Sequence, residues 1–439
     1  MMNQGSNIHV YNDGNTEDEK SSVSAQGFKV DLHEPTNISG VLQGVHQRIH
    51  NDAGVTQGDM NGLLQALRSM SVTIDGNTHS LESHPEIERN KKIWDEILRG
   101  HTFLSHQLTI VTPNVVRALV EQETTVDLRG ITCLTDEDIA AFGKQPHGTL
   151  NLSGLPSLST AQFVTLCYIG CPLQLNGLTS LPPLSSKDFN VLSVAKSIQL
   201  NGLTAITSDQ FEALVGTKTS LSLNGLTSLP KLTPALGSAL EQHEMALACD
   251  SVREVDAEQF QTLLHKRKGD LSLRNLDALP PLLPGVEKLL QERQMRIYLS
   301  LGILKISDED LCVLLKTKGV LTLNRLQELP TLSPKTVALL KETHQAFLCG
   351  ELRRITDDQF RALLGLKNSI YLYSLQELPE LSEATITMLR DYSFTVLLDG
   401  LESISDKNAL ALKPYLSKLQ VSPDIATKII AIGGATSGI

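Results

Sequence analysis

Through the last two-thirds of the chain, apolar residues first alternate with polar ones and then recur at helical spacing, unit after unit. The stretch from Leu221 to Leu229, Leu-Ser-Leu-Asn-Gly-Leu-Thr-Ser-Leu, sets the pattern, and Leu173 to Leu181 and Ile198 to Ile206 repeat it. With the first apolar residue taken as position 1, units start at Val126, Leu150, Leu173, Ile198, Leu221, Leu247, Leu271, Tyr298, Leu321, Phe347, Ile370 and Val396. Positions 1 and 3 are apolar and positions 2 and 4 mostly polar, the period-2 alternation of a short strand with one buried face. Position 5 is often glycine (Gly154, Gly177, Gly202, Gly225), which lets the chain turn out of the strand. Positions 6 and 9 are apolar again and point back into the core. Around Tyr298, the residues Ile297, Leu299 and Leu301 also offer inward phases; a cap at Ser307, nine residues on, selects Tyr298 as position 1.

Each strand is followed by a helix whose start is marked. In one class of unit the cap falls at position 10. Thr207-Ser-Asp-Gln210 and Thr356-Asp-Asp-Gln359 are capping boxes, in which the Thr oxygen accepts one free backbone amide and the Gln reaches back to another. Asp256 to Gln259 and Ser307 to Asp310 are looser versions. Phe211, Leu214, Phe360 and Leu363 supply the buried stripe. The other class inserts Pro-x-Leu before the cap, as in Pro230-Lys-Leu-Thr233-Pro234 and Pro330-Thr-Leu-Ser333-Pro334, with Pro at the first helical position. From Leu173 onward the two classes alternate without a miss. The true repeat is therefore a pair of about 48 to 50 residues, within the range of solenoid repeats.

A single unit cannot bury its apolar side, whereas stacked units cover one another. The pattern predicts an α/β solenoid of about twelve strand-turn-helix units over residues 123–409, with its strands in one parallel sheet. Both ends need lids. Residues 36–122 read as a helical N-terminal domain: Asp59 to Arg68 carries Leu63, Leu64 and Leu67 on one face, and Pro85 to Leu98 carries Ile87, Ile93, Trp94 and Ile97. Thr112-Pro113 opens a third helix, with Thr as its cap and Val116, Leu119 and Val120 turned inward. Residues 1–35 are polar and read as a flexible tail; short β-like stretches at Ile8 to Tyr11 and Val72 to Ile74 are not assembled into a sheet. Residues 410–439 offer Leu410, Leu412, Leu416, Leu419 and Ile425 to Ile432 for a closing helix pair, then a loose end.

Composition narrows the chemistry. Of 439 residues, 41% are hydrophobic but only 4% aromatic, so the core is aliphatic. A net charge of −11 argues against nucleic acid, whose binding needs a basic stripe, and against attraction to anionic lipid. No run reaches the roughly 18 apolar residues of a membrane helix, and Met1 to Asn15 lacks the apolar core of a signal peptide. The expected location is cytoplasmic, or inside a host cell after export by a route without a classical signal peptide. Cys133, Cys167, Cys171, Cys249, Cys312 and Cys349 follow neither a disulfide framework nor a zinc spacing. Cys167 and Cys171, four apart, allow a metal pair; small apolar fillers in a reduced, intracellular protein are the plainer account. His46 and His50 would share a helix face, but Gln47 stands where a metalloprotease has Glu. No Gly-rich phosphate loop or Gly-x-Ser-x-Gly elbow is present. No catalytic residue, metal or cofactor is assigned.

Together the units resemble leucine-rich repeats. Leu134-Thr135-Asp136 and Ile355-Thr356-Asp357, entering a helix after the strand, resemble the cysteine-containing class most. That class carries Asn or Cys at position 6, where polar side chains form a ladder inside the turn. Here position 6 is Leu, Ile or Val, as in similar arrays of bacterial proteins, so apolar packing must replace that ladder. The resemblance covers residues 126 to 416 and implies a binding fold, which many unrelated partners reuse.

In such a fold, positions 2 and 4 line the concave face. The candidate partner-binding residues are Asn176, Asn201, Asn224, Asp250, Arg274, Asn324, Tyr371 and Tyr373. Tyrosine and arginine are common anchors of protein interfaces, so a partner on this face is expected at the Tyr371/Tyr373 end, near Arg353 and Arg354. The alternative for the Asn residues is that they solvate the sheet and form a lateral hydrogen-bond ladder. The basic run His265-Lys-Arg-Lys268 reads as a solvated loop, or else as an anchor for an acidic partner. The function expected is a non-catalytic scaffold for a protein partner, an adaptor or bacterial effector. A self-assembling structural protein, and an enzyme with its catalytic module in residues 1–122, stand as alternatives.

Overall fold

The computed structural model describes residues 9–12, 21–25, 28–32, 70–74, 77–80, 85–102, 104–122, 125–143, 148–184, 194–266, 268–293, 298–343 and 347–432. Thirteen short parallel strands follow one another in sequence order along one sheet, each strand leading through a turn toward the next. This is the α/β solenoid of leucine-rich-repeat type that the pattern predicts. The chain divides into two compact units, Met1–Leu203 and Thr204–Ile439.

In the first unit, Val126, Leu150, Leu173 and Ile198 stand opposite one another in register, each as the first inward residue of its strand. The helices Pro85–Leu98 and Pro113–Gln122 form where expected. They bury Ile93, Trp94, Ile97, Val115, Val116 and Leu119. Val120 is only half-buried; Val115 takes the inward place. Trp94 donates its indole N–H to the Ile110 carbonyl at 3.0 Å, which satisfies its polar end inside an apolar site. Thr112 is buried, yet its hydroxyl has no partner, so its side chain does not cap the third helix.

Five further strands, His9–Asn12, Ser21–Ala25, Phe28–Leu32, Met70–Ile74 and Asn77–Ser80, pair antiparallel in the order first, third, second, fourth, fifth. The sequence pattern does not predict this sheet. Each is only four or five residues long, and the pairing of Val23 with Val72 is long-range, so no local signal announces it. The helix expected from Asp59 to Arg68, and His46 with His50, lie outside the described residues.

In the second unit the residues paired in register are Leu221, Leu247 and Leu271, then Leu299, Leu321, Phe347, Ile370, Val396 and Leu419. Two assignments change. The unit placed at Tyr298 begins at Leu299: Leu299 and Leu301 are fully buried, while Tyr298 is 48% exposed. The cap is still Ser307, so this unit is one residue shorter between strand and helix. Its chain is drawn close to its neighbour, and a Cβ on Gly302 would lie 1.7 Å from the Arg274 carbonyl oxygen. At the far end a strand comes between the two closing helices. The helix Asp406–Leu412 and a 3-10 turn are followed by a thirteenth strand, Leu419–Val421, and the helix Pro423–Ala431.

Position 6 is apolar and sealed. Leu226, Val252, Leu276, Leu326, Leu352 and Leu375 are fully buried, as are Leu178 and Leu203 in the first unit. Each such aliphatic side chain contributes roughly 1.5 to 3 kcal/mol by leaving water. Helix starts follow the sequence signals: Thr207, Asp256 and Thr356 form reciprocal boxes with Gln210, Gln259 and Gln359. Thr233 and Ser333 cap helices with Pro at the first turn.

The alternation of unit classes has a hydrogen-bonding cause. The Pro insertion leaves carbonyls that neither strand nor helix uses. Gln259 donates to Leu229 O and Pro230 O at 3.3 and 3.2 Å, and Gln359 to Leu329 O and Pro330 O at 2.9 and 3.0 Å. Asn408 does the same for Pro379 O at 2.7 Å while accepting from the Leu381 amide. Each of these long units thus hands its orphan acceptors to the short unit behind it. In the other direction, Asp308 and Asp357 accept the cap amides of Ser333 and Ser382 at 3.0 and 3.1 Å. Burial opposes ionisation of both carboxyls, but these bonds and those from Thr336 and Thr385 outweigh it and hold them below the usual range.

Within the basic run at His265, Lys266 does not lie in solvent. Lys266 is fully buried and its ammonium donates to the carbonyls of His243 at 2.9 Å, Lys268 at 2.7 Å and Met245. Arg293, also buried, donates to Lys266 O at 2.6 Å, and His243 contacts Thr217 O at 2.8 Å through Nδ1. Consecutive units therefore grip one another through buried side chains at the ends of their helices. Lys268 pairs with Glu244 at the surface.

Candidate functional site

The helices cover one face of the sheet, and positions 2 and 4 of each strand face the other. At position 4 the amides of Gly302, Asn324 and Gly350 donate to the Leu273, Leu301 and Leu323 carbonyls of the preceding strand. The amides of Asn201, Asp250 and Arg274 are met instead by Asn or Asp side chains. Asn176 Oδ1 accepts from the Asn201 amide at 3.1 Å, and its Nδ2 donates to Gln199 at 3.4 Å. Asn224 Oδ1 accepts from the Asp250 amide at 2.9 Å, and Asp250 Oδ1 from the Arg274 amide at 3.2 Å. Asn224 also donates to Ser222 at 3.1 Å, and Ser272 donates to Asp250. Five of the candidate residues, Asn176, Asn201, Asn224, Asp250 and Arg274, thus take part in lateral links, each by its side chain or its amide. This is a polar ladder of the kind position 6 lacks, moved to the outer end of the strand.

Asp250 also faces Arg274 across 3.9 Å. Asn324 stands apart: its strand neighbours carry Gly302 and Gly350, and its side-chain amide nitrogen is buried without a partner.

The character of the face changes beyond Asn324. Thr322, Leu348, Tyr371 and Leu397 stand opposite one another across four successive strands, all at position 2 and all half-buried. Tyr371 and Tyr373 share the face, with ring centroids 5.9 Å apart and planes tilted by 44°. Tyr373 is 45% exposed. In the position-4 row it stands between Gly350, which presents no side chain, and the exposed Asp399, to which Gln420 donates at 2.8 Å. Burial, then Tyr371 and then Asp399, push the Tyr373 hydroxyl above its usual range. Arg353 and Arg354 are exposed on the turn leaving the preceding strand; the Arg353 carbonyl accepts from the Gln376 amide at 3.1 Å.

The sequence reading named the two tyrosines but not Leu348, Leu397 or Asp399. The signal was available: positions 2 and 4 counted from Phe347 and Val396 give these residues directly. Elsewhere, Cys167 and Cys171 are buried, which raises both thiols. Among the described residues no group of three or more His, Cys, Asp or Glu could hold a metal ion. No described helix is long and apolar enough to cross a membrane.

No family model matches the chain, and no curated protein matches it. Among solved structures, an internalin from Listeria monocytogenes is similar, at 15% sequence identity and a TM-score of 0.40, over 76% of this chain and 96% of that one.

Proposed function

We propose that this chain is a non-catalytic scaffold that binds a protein partner on the helix-free face of its sheet, at the end marked by Tyr371 and Tyr373. The observation that carries this reading is the apolar row Leu348, Tyr371 and Leu397, half-buried beside Tyr373, where most of the corresponding positions on earlier strands are polar and several of those side chains are tied to one another. Side chains whose hydrogen bonds are already made offer a partner little, whereas half-buried aromatic and aliphatic groups gain by being covered. An adaptor or effector role, intracellular or after delivery to a host cell, fits an acidic repeat protein in which Cys167, Cys171, Cys249, Cys312 and Cys349 are buried thiols.

The test is a double substitution, Tyr371→Ala with Tyr373→Ala, in the full chain. Partner capture by the native protein should be lost, with circular dichroism and the unfolding midpoint little changed. Unchanged capture would reject the tyrosine end as the binding surface. Sedimentation across a concentration series addresses the self-assembly alternative, which requires association of the chain with itself.

A further inference from the structure

The tyrosine end combines three properties that none of the earlier strands brings together. Two aromatic rings lie 5.9 Å apart on one face. A carboxylate, Asp399, is the next side chain along the position-4 row, on a strand about 4.8 Å away. Gly350 leaves the opposite flank of Tyr373 without a side chain. A ring face attracts a cation through its quadrupole, and a neighbouring carboxylate adds direct charge attraction.

The exposed charge nearby is negative on balance. Glu351, Glu377 and Glu402 are exposed around the patch, alongside Asp399, against Arg353 and Arg354. The chain as a whole carries −11, which favours the approach of a basic partner. The apolar row beside the rings would cover the aliphatic neighbours of such a cation, and a long basic side chain can lay its stem along apolar surface with its head on the charged group.

We infer that the Tyr371–Tyr373–Asp399 corner takes an arginine or lysine side chain from a basic segment of the partner, with flanking apolar residues laid over Leu348 and Leu397. The inference rests on the protein-binding reading above and narrows its partner to one chemistry. A cation held between an aromatic pair and a carboxylate is favoured over a neutral or acidic residue, which would place its polar group against the rings or its charge against Asp399.

A phage-displayed library of random twelve-residue peptides tests it, selected on the full native chain and depleted on the Y371A/Y373A variant. Peptides that survive depletion should share an Arg or Lys. Their synthetic forms should bind about tenfold more weakly to D399N, about tenfold more weakly when that residue becomes Gln, and more weakly as salt rises. Y373F, which keeps the ring, should retain binding. Tyrosine-dependent peptides that need no basic residue, or that bind D399N as well as the native chain, overturn the cation site and leave the protein-binding reading standing. A selection that yields no tyrosine-dependent peptide overturns both.

Discussion

Gln359 donates its side-chain amide to the carbonyl oxygen of Leu329 at 2.9 Å, across 30 residues of sequence. The same side chain caps its own helix by accepting from the Thr356 amide at 2.8 Å. One residue therefore closes a local motif and joins two units. Leu329 immediately precedes the Pro insertion of the long unit, and Gln359 belongs to the short one, so neither class is hydrogen-bond complete by itself.

Removing the two ends of this arrangement should have unequal effects. Thr356→Ala loses one cap bond, for a cost of about 1 kcal/mol. Gln359→Leu also strands the carbonyls of Leu329 and Pro330, buried acceptors whose loss costs roughly 1 to 3 kcal/mol. Urea unfolding monitored by circular dichroism should therefore rank Gln359→Leu well below Thr356→Ala. Equal midpoints would mean that water satisfies the two carbonyls.

Two glycines offer a matched pair. A Cβ at Gly302 would sit 1.7 Å from the Arg274 carbonyl, which the backbone cannot yield without moving the shortened unit. Gly302→Ala should cost at least about 3 kcal/mol, in the range of overpacked cores. At Gly237, within the helix Pro234–Gln242, the nearest atom to a new Cβ is 3.6 Å away on the flexible His265 ring. Gly237→Ala should be neutral or stabilising by up to about 1 kcal/mol through helix propensity. Thermal midpoints of the two variants check the contrast.

Asp138 carries a pH dependence. It is buried at the third helical position of its unit, where Gln162, Gln210, Gln259, Gln359 and Asn408 stand in five other units, and its Oδ1 has no partner. Burial pushes its carboxyl up to about 7, against the lowering effect of hydrogen bonds from Thr135. The folded state then binds more protons than the unfolded state between about pH 4 and 7, so this group's contribution to stability is present below that window and falls as pH rises through it. Asp138→Asn should flatten that slope and raise stability at pH 7.5 by about 2 to 4 kcal/mol. Denaturation midpoints at pH 5 and 7.5 for both proteins measure it; parallel slopes would reject the assignment.

Asn224 separates ladder from site. Its oxygen accepts from the Asp250 amide, so Asn224→Ala should cost roughly 1 kcal/mol of stability. Binding of a partner held at Tyr371 and Tyr373 should not change. Fluorescence anisotropy with a tyrosine-dependent peptide, beside an unfolding curve, reads both effects; a large affinity loss would extend the binding surface toward the Asn strands.

The sequence by itself determined twelve of the thirteen parallel strands, their turns, most helix caps of the array and the alternation of two unit classes. Each depends on residues within about ten positions: an apolar alternation, a glycine, a Thr with Gln three residues on. The phase at Leu299 escaped it, because Tyr298 and Leu299 are both acceptable strand residues and only burial between neighbouring units chooses one. The fate of Lys266 escaped it as well. A lysine in a basic run belongs in solvent unless three carbonyls from adjoining segments converge on it, and convergence is a property of stacked units. So too with the open face. Positions 2 and 4 could be enumerated from the sequence, but which of those side chains were already tied to a neighbour, and which stood beside Gly350 and Asp399 with rings still exposed, was decided by strands about 4.8 Å apart in register.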